Sequence, residues 1–326
     1  MQNTGRILYF DQIRALAILM VIIGHVLPWS FGVEHSLLLT LVTTIELPVF
    51  FYISGYFSTA KKTQINLWEG ANIITKSFVR YLVPMFAVGF LSEILTDYPF
   101  MDSVLHRDGG RYWFLYALFY VGFMSTMMHG LSSFLKIRSL FLDIILFGAA
   151  YMPFFVMKMF GISLPEIIPM GAILTYYPFY VVGVLAGKYQ KVNNLIMESK
   201  VLYVLSICVL VFGIWFLTKQ TNALVSLLTA ACSIVLMFQI FSNLPQQGVA
   251  LTYLSKIGKS TLAIYLFHYF FIFDMKWMEP YLTTNGSFML QLIVGVTSAV
   301  VIVCICLAIE WILGRTKLTR NLFLGK

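Results

Sequence analysis

The sequence predicts an all-α integral membrane protein, a bundle of about ten transmembrane helices with both termini cytoplasmic. Three observations predict it. Sixty per cent of the 326 residues are hydrophobic and only 11% are charged, against about 25% charged in an average soluble domain. The apolar residues fall into long runs, close to the roughly 20 residues that a helix needs to cross a bilayer. The basic residues gather in alternate connections between those runs, as the positive-inside rule requires.

The runs lie at roughly 8–29, 36–59, 78–97, 111–130, 140–160, 167–187, 200–218, 223–243, 259–279 and 287–313. Transmembrane strands would be shorter and would alternate apolar with polar residues, so helices are expected. With the N-terminus inside, the inside segments hold 16 of the 22 basic residues. These are Arg6; Lys61, Lys62, Lys76 and Arg80; Lys136 and Arg138; Lys188, Lys191 and Lys200; Lys256 and Lys259; and Arg315, Lys317, Arg320 and Lys326. The outside segments hold Arg107, Arg111, Lys158, Lys219 and Lys276, and Arg14 lies within a span. One helix more or fewer would scramble this alternation.

The connections are short, so residues 1–326 are expected to form one transmembrane domain. The longest outer segment, 98–110, carries Asp102, His106, Arg107, Asp108 and a Gly109-Gly110 turn, and is expected to cover the mouth of a cavity. The first apolar run exceeds a signal-peptide core and is followed by no small-x-small cleavage site, so it is expected to stay as a span. The net charge of +8 is spread between apolar runs and forms no long basic block, which argues against nucleic acid as a partner. Cys208, Cys232, Cys304 and Cys306 lie inside apolar runs and read as small buried hydrophobes.

Ionisable groups inside spans cost about 2.5–3.5 kcal/mol on insertion scales and normally face a bundle interior or a watery cavity. Here they are Asp11, Arg14, His25, Glu46, Glu93, Asp143, His268 and Glu310. Asp11 and Arg14 are an i, i+3 pair and can touch. At about 100° per residue, Arg14 and His25 fall on one helix face, about 16 Å apart along the axis. A guanidinium holds phosphate or carboxylate through two hydrogen bonds, and an imidazole is a general base near neutral pH. Two readings stand for this face: a donor anchor with a deeper base, or an interfacial ion pair with a histidine that bonds another helix. Glu46 precedes Pro48, which frees a backbone carbonyl; it is a partner for Arg14, a substrate contact or a link between helices. His268, one turn after Tyr265, is a second proton-transfer group, a substrate contact or a packing residue. Glu93, Asp143 and Glu310 read as structural. Gly183 and Gly187 form a GxxxG that favours close helix packing. No HxxxH or HExxH spacing occurs, so no metal is expected.

Tyr9-Phe10-Asp11-Gln12-Ile13-Arg14, with His25 further along, resembles the opening signature of the acyltransferase family 3 membrane proteins. Pro48-Val49-Phe50-Phe51-Tyr52-Ile53-Ser54-Gly55-Tyr56 is similar to the family's second-helix motif, and Arg80-Tyr81-Leu82-Val83-Pro84 to the basic motif that opens its third helix. Tyr112-Trp113-Phe114-Leu115 resembles its aromatic motif after the outer loop. Gly258-Lys259-Ser260 followed by Tyr265-Leu266-Phe267-His268 resembles its late element. The motifs run in order over nearly the whole chain. The resemblance implies an acyl-CoA co-substrate, usually acetyl-CoA, taken from the cytoplasm, with no tightly bound cofactor. It implies His25 as the catalytic histidine, with Arg14 beside Asp11 as the residue that binds or activates the donor. Arg80 and Ser54 are assigned with Arg14 to the donor, and Glu46, Trp113, Tyr265 and His268 to the acceptor. The family's glycines around the first-helix arginine are replaced by Gln12 and Ala15, so a plainly helical backbone is expected there. The expected type is a short member without an additional soluble domain.

The expected function is transfer of an acyl group, in the first place acetyl, from cytoplasmic acyl-CoA to a hydroxyl of a surface polysaccharide or lipid-linked sugar. The expected location is the bacterial cytoplasmic membrane, multi-pass, with carbohydrate, acyl-CoA and the bilayer as partners. Whether the chain forms a homo-oligomer is left open. The alternative is a transporter or flippase for a polysaccharide intermediate, against which stands the lack of a repeat between halves or a matched pair of broken spans. A scaffold without chemistry is a third reading, on which Arg14 and His25 are dispensable.

Overall fold

In a computed structural model, residues 7–59, 65–106, 110–245, 248–284 and 287–326 are described. Arg6, Lys61 and Lys62 of the expected inside segments, and Arg107, Asp108 and Gly109 of the outer loop, lie outside them. The described residues form α-helices joined by short turns, with no strand among them. In chain order these are α1 (Leu8–Phe31), α2 (Leu37–Thr59), α3 (Leu67–Ser77), α4 (Val83–Thr96), α5 (Phe100–His106), α6 (Trp113–Phe134), α7 (Leu140–Met159) and α8 (Met170–Lys188). There follow α9 (Gln190–Glu198), α10 (Lys200–Leu217), α11 (Ala223–Asn243), α12 (Val249–Lys259), α13 (Thr261–Phe267), α14 (Glu279–Leu282), α15 (Phe288–Leu313) and α16 (Lys317–Leu324). Among the described residues, nine helices are long and apolar enough to cross a membrane. The chain is an all-α, multi-pass membrane protein.

Two of the expected spans differ in form. The third begins earlier, because α3 runs into α4 as one stretch, Leu67–Thr96. Asn66 opens it with a capping box: its side chain accepts from the Glu69 N–H at 2.8 Å, and Glu69 accepts from the Asn66 N–H at 3.1 Å. The two helices are joined by a π-helical turn, Phe78–Leu82. Pro84 has no N–H for the Arg80 carbonyl, and a widened turn absorbs that missing bond.

The ninth expected span, 259–279, is a broken crossing. Helix α13 has seven residues, a 3₁₀ turn follows at His268–Phe271, and the backbone is then extended at Ile272. The segment still tracks α1. Gly258 lies on Asp11, the His268 ring lies 5.2 Å from that of His25, and the Met275 N–H donates to the Ser30 carbonyl at 2.8 Å. It runs parallel to α1 from one end to the other. Its non-helical end reaches Asp274 and Lys276, level with the last turn of α1, where backbone groups no longer need a helix to satisfy them.

The chain divides into two compact units. The first holds residues 1–50 and 194–311. In it α1 packs on α11, α12 and α13, and α10 on α11. Gly213 lets α10 approach Thr229 of α11, and Gly295 sets α15 on Ile23 of α1. Gln239 ties α11 to the last turn of α9 by donating to the Ile196 carbonyl at 2.8 Å, and to the link that follows by donating to the Ser199 carbonyl at 3.2 Å. Helix α1 stops at Gly32, whose φ of +74° is the left-handed region glycine adopts freely.

The second unit holds residues 51–193 and 312–326. Here α2 and α8 meet backbone to backbone. A Cβ on Gly55 would overlap the Tyr180 carbonyl, and one on Gly183 would overlap the Tyr52 carbonyl. The glycine facing Gly183 is thus Gly55 on the neighbouring helix. Asp143, fully buried at the start of α7, is bound by Lys188 of α8 at 2.5 Å. Ser132 of α6 donates to it at 2.6 Å and Tyr189 at 2.7 Å. The structural reading of Asp143 holds: it locks three helices together.

Candidate active site

Helix α1 is continuous from Leu8 to Phe31, so Gln12 and Ala15 sit in regular helix, as expected from the lost glycines. Asp11 lies in its first turn, 1% exposed, and accepts from Arg14 at 3.3 Å. A carboxylate there also favours the helix N-terminus. The Arg14 side chain is 24% exposed, so its guanidinium keeps access to solvent while its stem is packed. Gln12 is wholly buried, and neither end of its amide has a hydrogen-bond partner among the described residues.

What holds this turn in place is Gly258. A Cβ there would fall on the backbone carbonyl of Asp11. Only glycine lets α12 lie this close, so the late Gly-Lys-Ser motif works by backbone contact. Gly258→Ala is expected to destabilise the protein by about 1–3 kcal/mol, the usual effect of overpacking. Gly130→Ala, where a Cβ meets nothing within 4 Å, is expected to stay within about 0.5 kcal/mol. Thermal unfolding of both variants in detergent checks this.

His25 sits less than two turns from the end of α1. Its Nδ1 lies 2.8 Å from the Val21 carbonyl. A carbonyl only accepts, so Nδ1 carries the proton and Nε2 the lone pair. The Tyr269 hydroxyl stands 3.4 Å from that Nε2. Trp29, one turn on, packs its ring 4.8 Å from the imidazole. His268 is built alike. Its Nδ1 lies 2.7 Å from the Tyr265 carbonyl and 3.2 Å from that of Ile264. Its Nε2 is therefore an acceptor too; it is buried and has no hydrogen-bond partner among the described residues. The helix breaks at this residue, which turns His268 and Tyr269 onto α1 together. The result is a pair of imidazoles, each in the same fixed tautomer, with a phenol beside both; the His25 and Tyr269 rings are 5.2 Å apart and the His268 and Tyr269 rings 4.0 Å.

Other expected residues lie elsewhere. Tyr265 is buried against His268, rings 5.7 Å apart. Glu46 is buried and makes no pair with Arg14: its Oε2 has no hydrogen-bond partner among the described residues and lies against Gly24, 3.0 Å from where a Cβ would be. Ser54, Arg80 and Trp113 belong to the second unit. Ser54 is half-buried in α2, and Arg80 is exposed in the π-helical turn, its guanidinium 5.7 Å from the Tyr81 ring centre. Trp113 opens α6, its ring 5.6 Å from that of Tyr176. Tyr269, Trp29, Gly24 and Gly258 were not singled out from the sequence as site residues. The i, i+4 spacing of His25 and Trp29 is a legible signal for one of them; an aromatic beside His268 reads as packing in a membrane sequence.

No curated protein and no solved structure matches the chain. A family model described as an acyltransferase domain matches residues 7–311, from the start of α1 nearly to the end of α15. It covers every element of the first unit's site, and the chain is a membrane acyltransferase of the acyltransferase 3 family.

Proposed function

We propose that this acyltransferase moves an acyl group, in the first place acetyl, from cytoplasmic acyl-CoA to a hydroxyl of a carbohydrate acceptor. His25 is the general base and Arg14 anchors the donor. The protein then sits in a bacterial cytoplasmic membrane with both termini inside. One observation carries this reading. Arg14 and His25 stand on one unbroken helix, about 16 Å apart along its axis. The nearer group is shaped for a phosphate and the farther one for a proton. The long pantetheine arm of CoA suits that separation.

The step balances as follows. His25 Nε2 takes the acceptor's hydroxyl proton as its oxygen attacks the thioester carbonyl carbon. The carbonyl becomes an oxyanion, and the Tyr269 hydroxyl is placed to donate to it. The oxyanion collapses, the carbon–sulfur bond breaks, and the CoA thiolate leaves with the proton from His25. The ester and free CoA are the products. His268, with its own unfilled Nε2, faces the imidazolium that forms and helps to hold its proton.

Membranes carrying the protein and its native acceptor, given labelled acetyl-CoA, test the reading. Label is expected in the carbohydrate fraction. Arg14→Ala is expected to raise the KM for acetyl-CoA about 10–100-fold, the worth of hydrogen bonds to a charged group. Arg14→Lys is expected to fall between, because it keeps the charge and loses the fork. No label in carbohydrate with the native protein, or an unchanged KM in Arg14→Ala, sinks the corresponding assignment.

A further inference from the structure

A second feature of the first unit lies at the end of α1 away from Arg14. It is an open cleft of about 830 Å³. Gly24 and Pro28 of α1 form one wall, the first turns of α2 another, and the α10–α11 turn with Ser226 a third. Its polar atoms are hydroxyls and carbonyls in large part, beside the side chains of His35 and Asn222. The hydroxyl of Thr43 donates to the Leu39 carbonyl and that of Thr44 to the Thr40 carbonyl, both at 2.7 Å. The hydroxyl of Thr218 donates to the Trp215 carbonyl, also at 2.7 Å. With their protons committed, these oxygens offer the cleft lone pairs.

The prolines add two more acceptors. Pro28 has no N–H for the Gly24 carbonyl, four residues earlier, and Pro48 has none for that of Thr44. Both Gly24 and Thr44 line the cleft. Glu34 adds a carboxylate, and no lysine or arginine among the described residues lines the space. Beside Gly24 lies the buried Oε2 of Glu46, with no hydrogen-bond partner among the described residues. A wall of hydroxyls, carbonyls and an amide, with a carboxylate and no lysine or arginine, matches an uncharged ligand rich in hydroxyls. Gly24 stands one residue before His25 on α1 and Pro28 three after it, so the cleft comes within a helical turn of the base, whose own ring is not part of the lining.

On the acyl-transfer reading above, on which this assignment rests, we infer that the cleft seats a neutral glycosyl unit of the acceptor, its hydroxyls donating to Thr43, Thr44 and the Gly24 carbonyl. Thr43→Leu and Ser226→Leu fill the cleft from opposite sides at helix surface positions, where leucine favours the helix. In the labelled-membrane assay, each is expected to lower transfer to carbohydrate about tenfold or more, because the filled site excludes the sugar. Binding of labelled acetyl-CoA to the same membranes is expected to stay within about twofold. Transfer by both leucine variants at native rates overturns the cleft assignment alone. Loss of donor binding in step with transfer also overturns it, as general damage. Absence of transfer by the native protein overturns the acyl-transfer reading and the cleft with it.

Discussion

His25→Ala is expected to lower acyl transfer by about 10²–10⁴-fold, the usual contribution of a general base, while acetyl-CoA binding holds. The expectation follows from the ring's setting. The Val21 carbonyl fixes the tautomer, so the enzyme spends nothing on choosing which nitrogen is basic. Trp29, Tyr269 and His268 surround the ring, so its plane is held as well. Alanine removes the base and those contacts together, and a drop in activity alone would not separate the two effects. Two further measurements do. Thermal unfolding in detergent reports the packing loss, and free imidazole added to the variant refills the gap with a base. Partial recovery of transfer with imidazole is the expected result. Full activity in His25→Ala ends the proposed mechanism; a loss that imidazole never repairs, matched by a large fall in unfolding temperature, makes His25 a packing residue.

Much of this fold was legible from hydropathy, because lipid demands long apolar runs and closed backbone hydrogen bonding. Nine such runs became helices. The exception, 259–279, is instructive. Its middle, Thr261–Phe271, is apolar, yet the helix stops at Phe267 and gives way to a 3₁₀ turn. Hydropathy measures transfer to lipid and says nothing of whether a backbone is covered by its neighbours, as this one is by α1. The third span was misplaced for the opposite reason. Asn66 and Glu69 form a capping box that marks its true start, but the residues between Leu67 and Ser77 are too amphipathic to register as a span.

The site was legible to a similar depth. Asp11, Arg14 and His25 stand on one helix, and spacing along a helix is readable from sequence. The approach of His268 to His25 is a long-range contact that spacing does not contain. Glu46 was offered Arg14 as a partner because opposite charges are costly to leave apart in a membrane. Instead its Oε2 lies by Gly24, a choice set by how α2 crosses α1. Gly258 was noticed as part of a motif, but its contact with the Asp11 carbonyl is a matter of helix depth, invisible without coordinates.

Lys188→Met is expected to destabilise the protein by about 3–5 kcal/mol, the usual result of removing one partner from a buried ion pair. The Asp143 carboxylate would stay fully buried, served only by the Ser132 and Tyr189 hydroxyls. Lys188 also donates to Ser132 at 3.1 Å, so its loss loosens the network at two points. The double variant Asp143→Asn with Lys188→Met separates charge from shape. Asparagine keeps an oxygen for one of the hydroxyl donors and carries no charge that needs a counter-ion. It is expected to recover at least half of the loss, because what harms the single variant is an uncompensated charge, more than a missing attraction. Unfolding midpoints in one detergent, measured for the native protein and the two variants, decide the point. If the single and double variants unfold together, the network holds α6, α7 and α8 through the lysine's geometry and not through its charge.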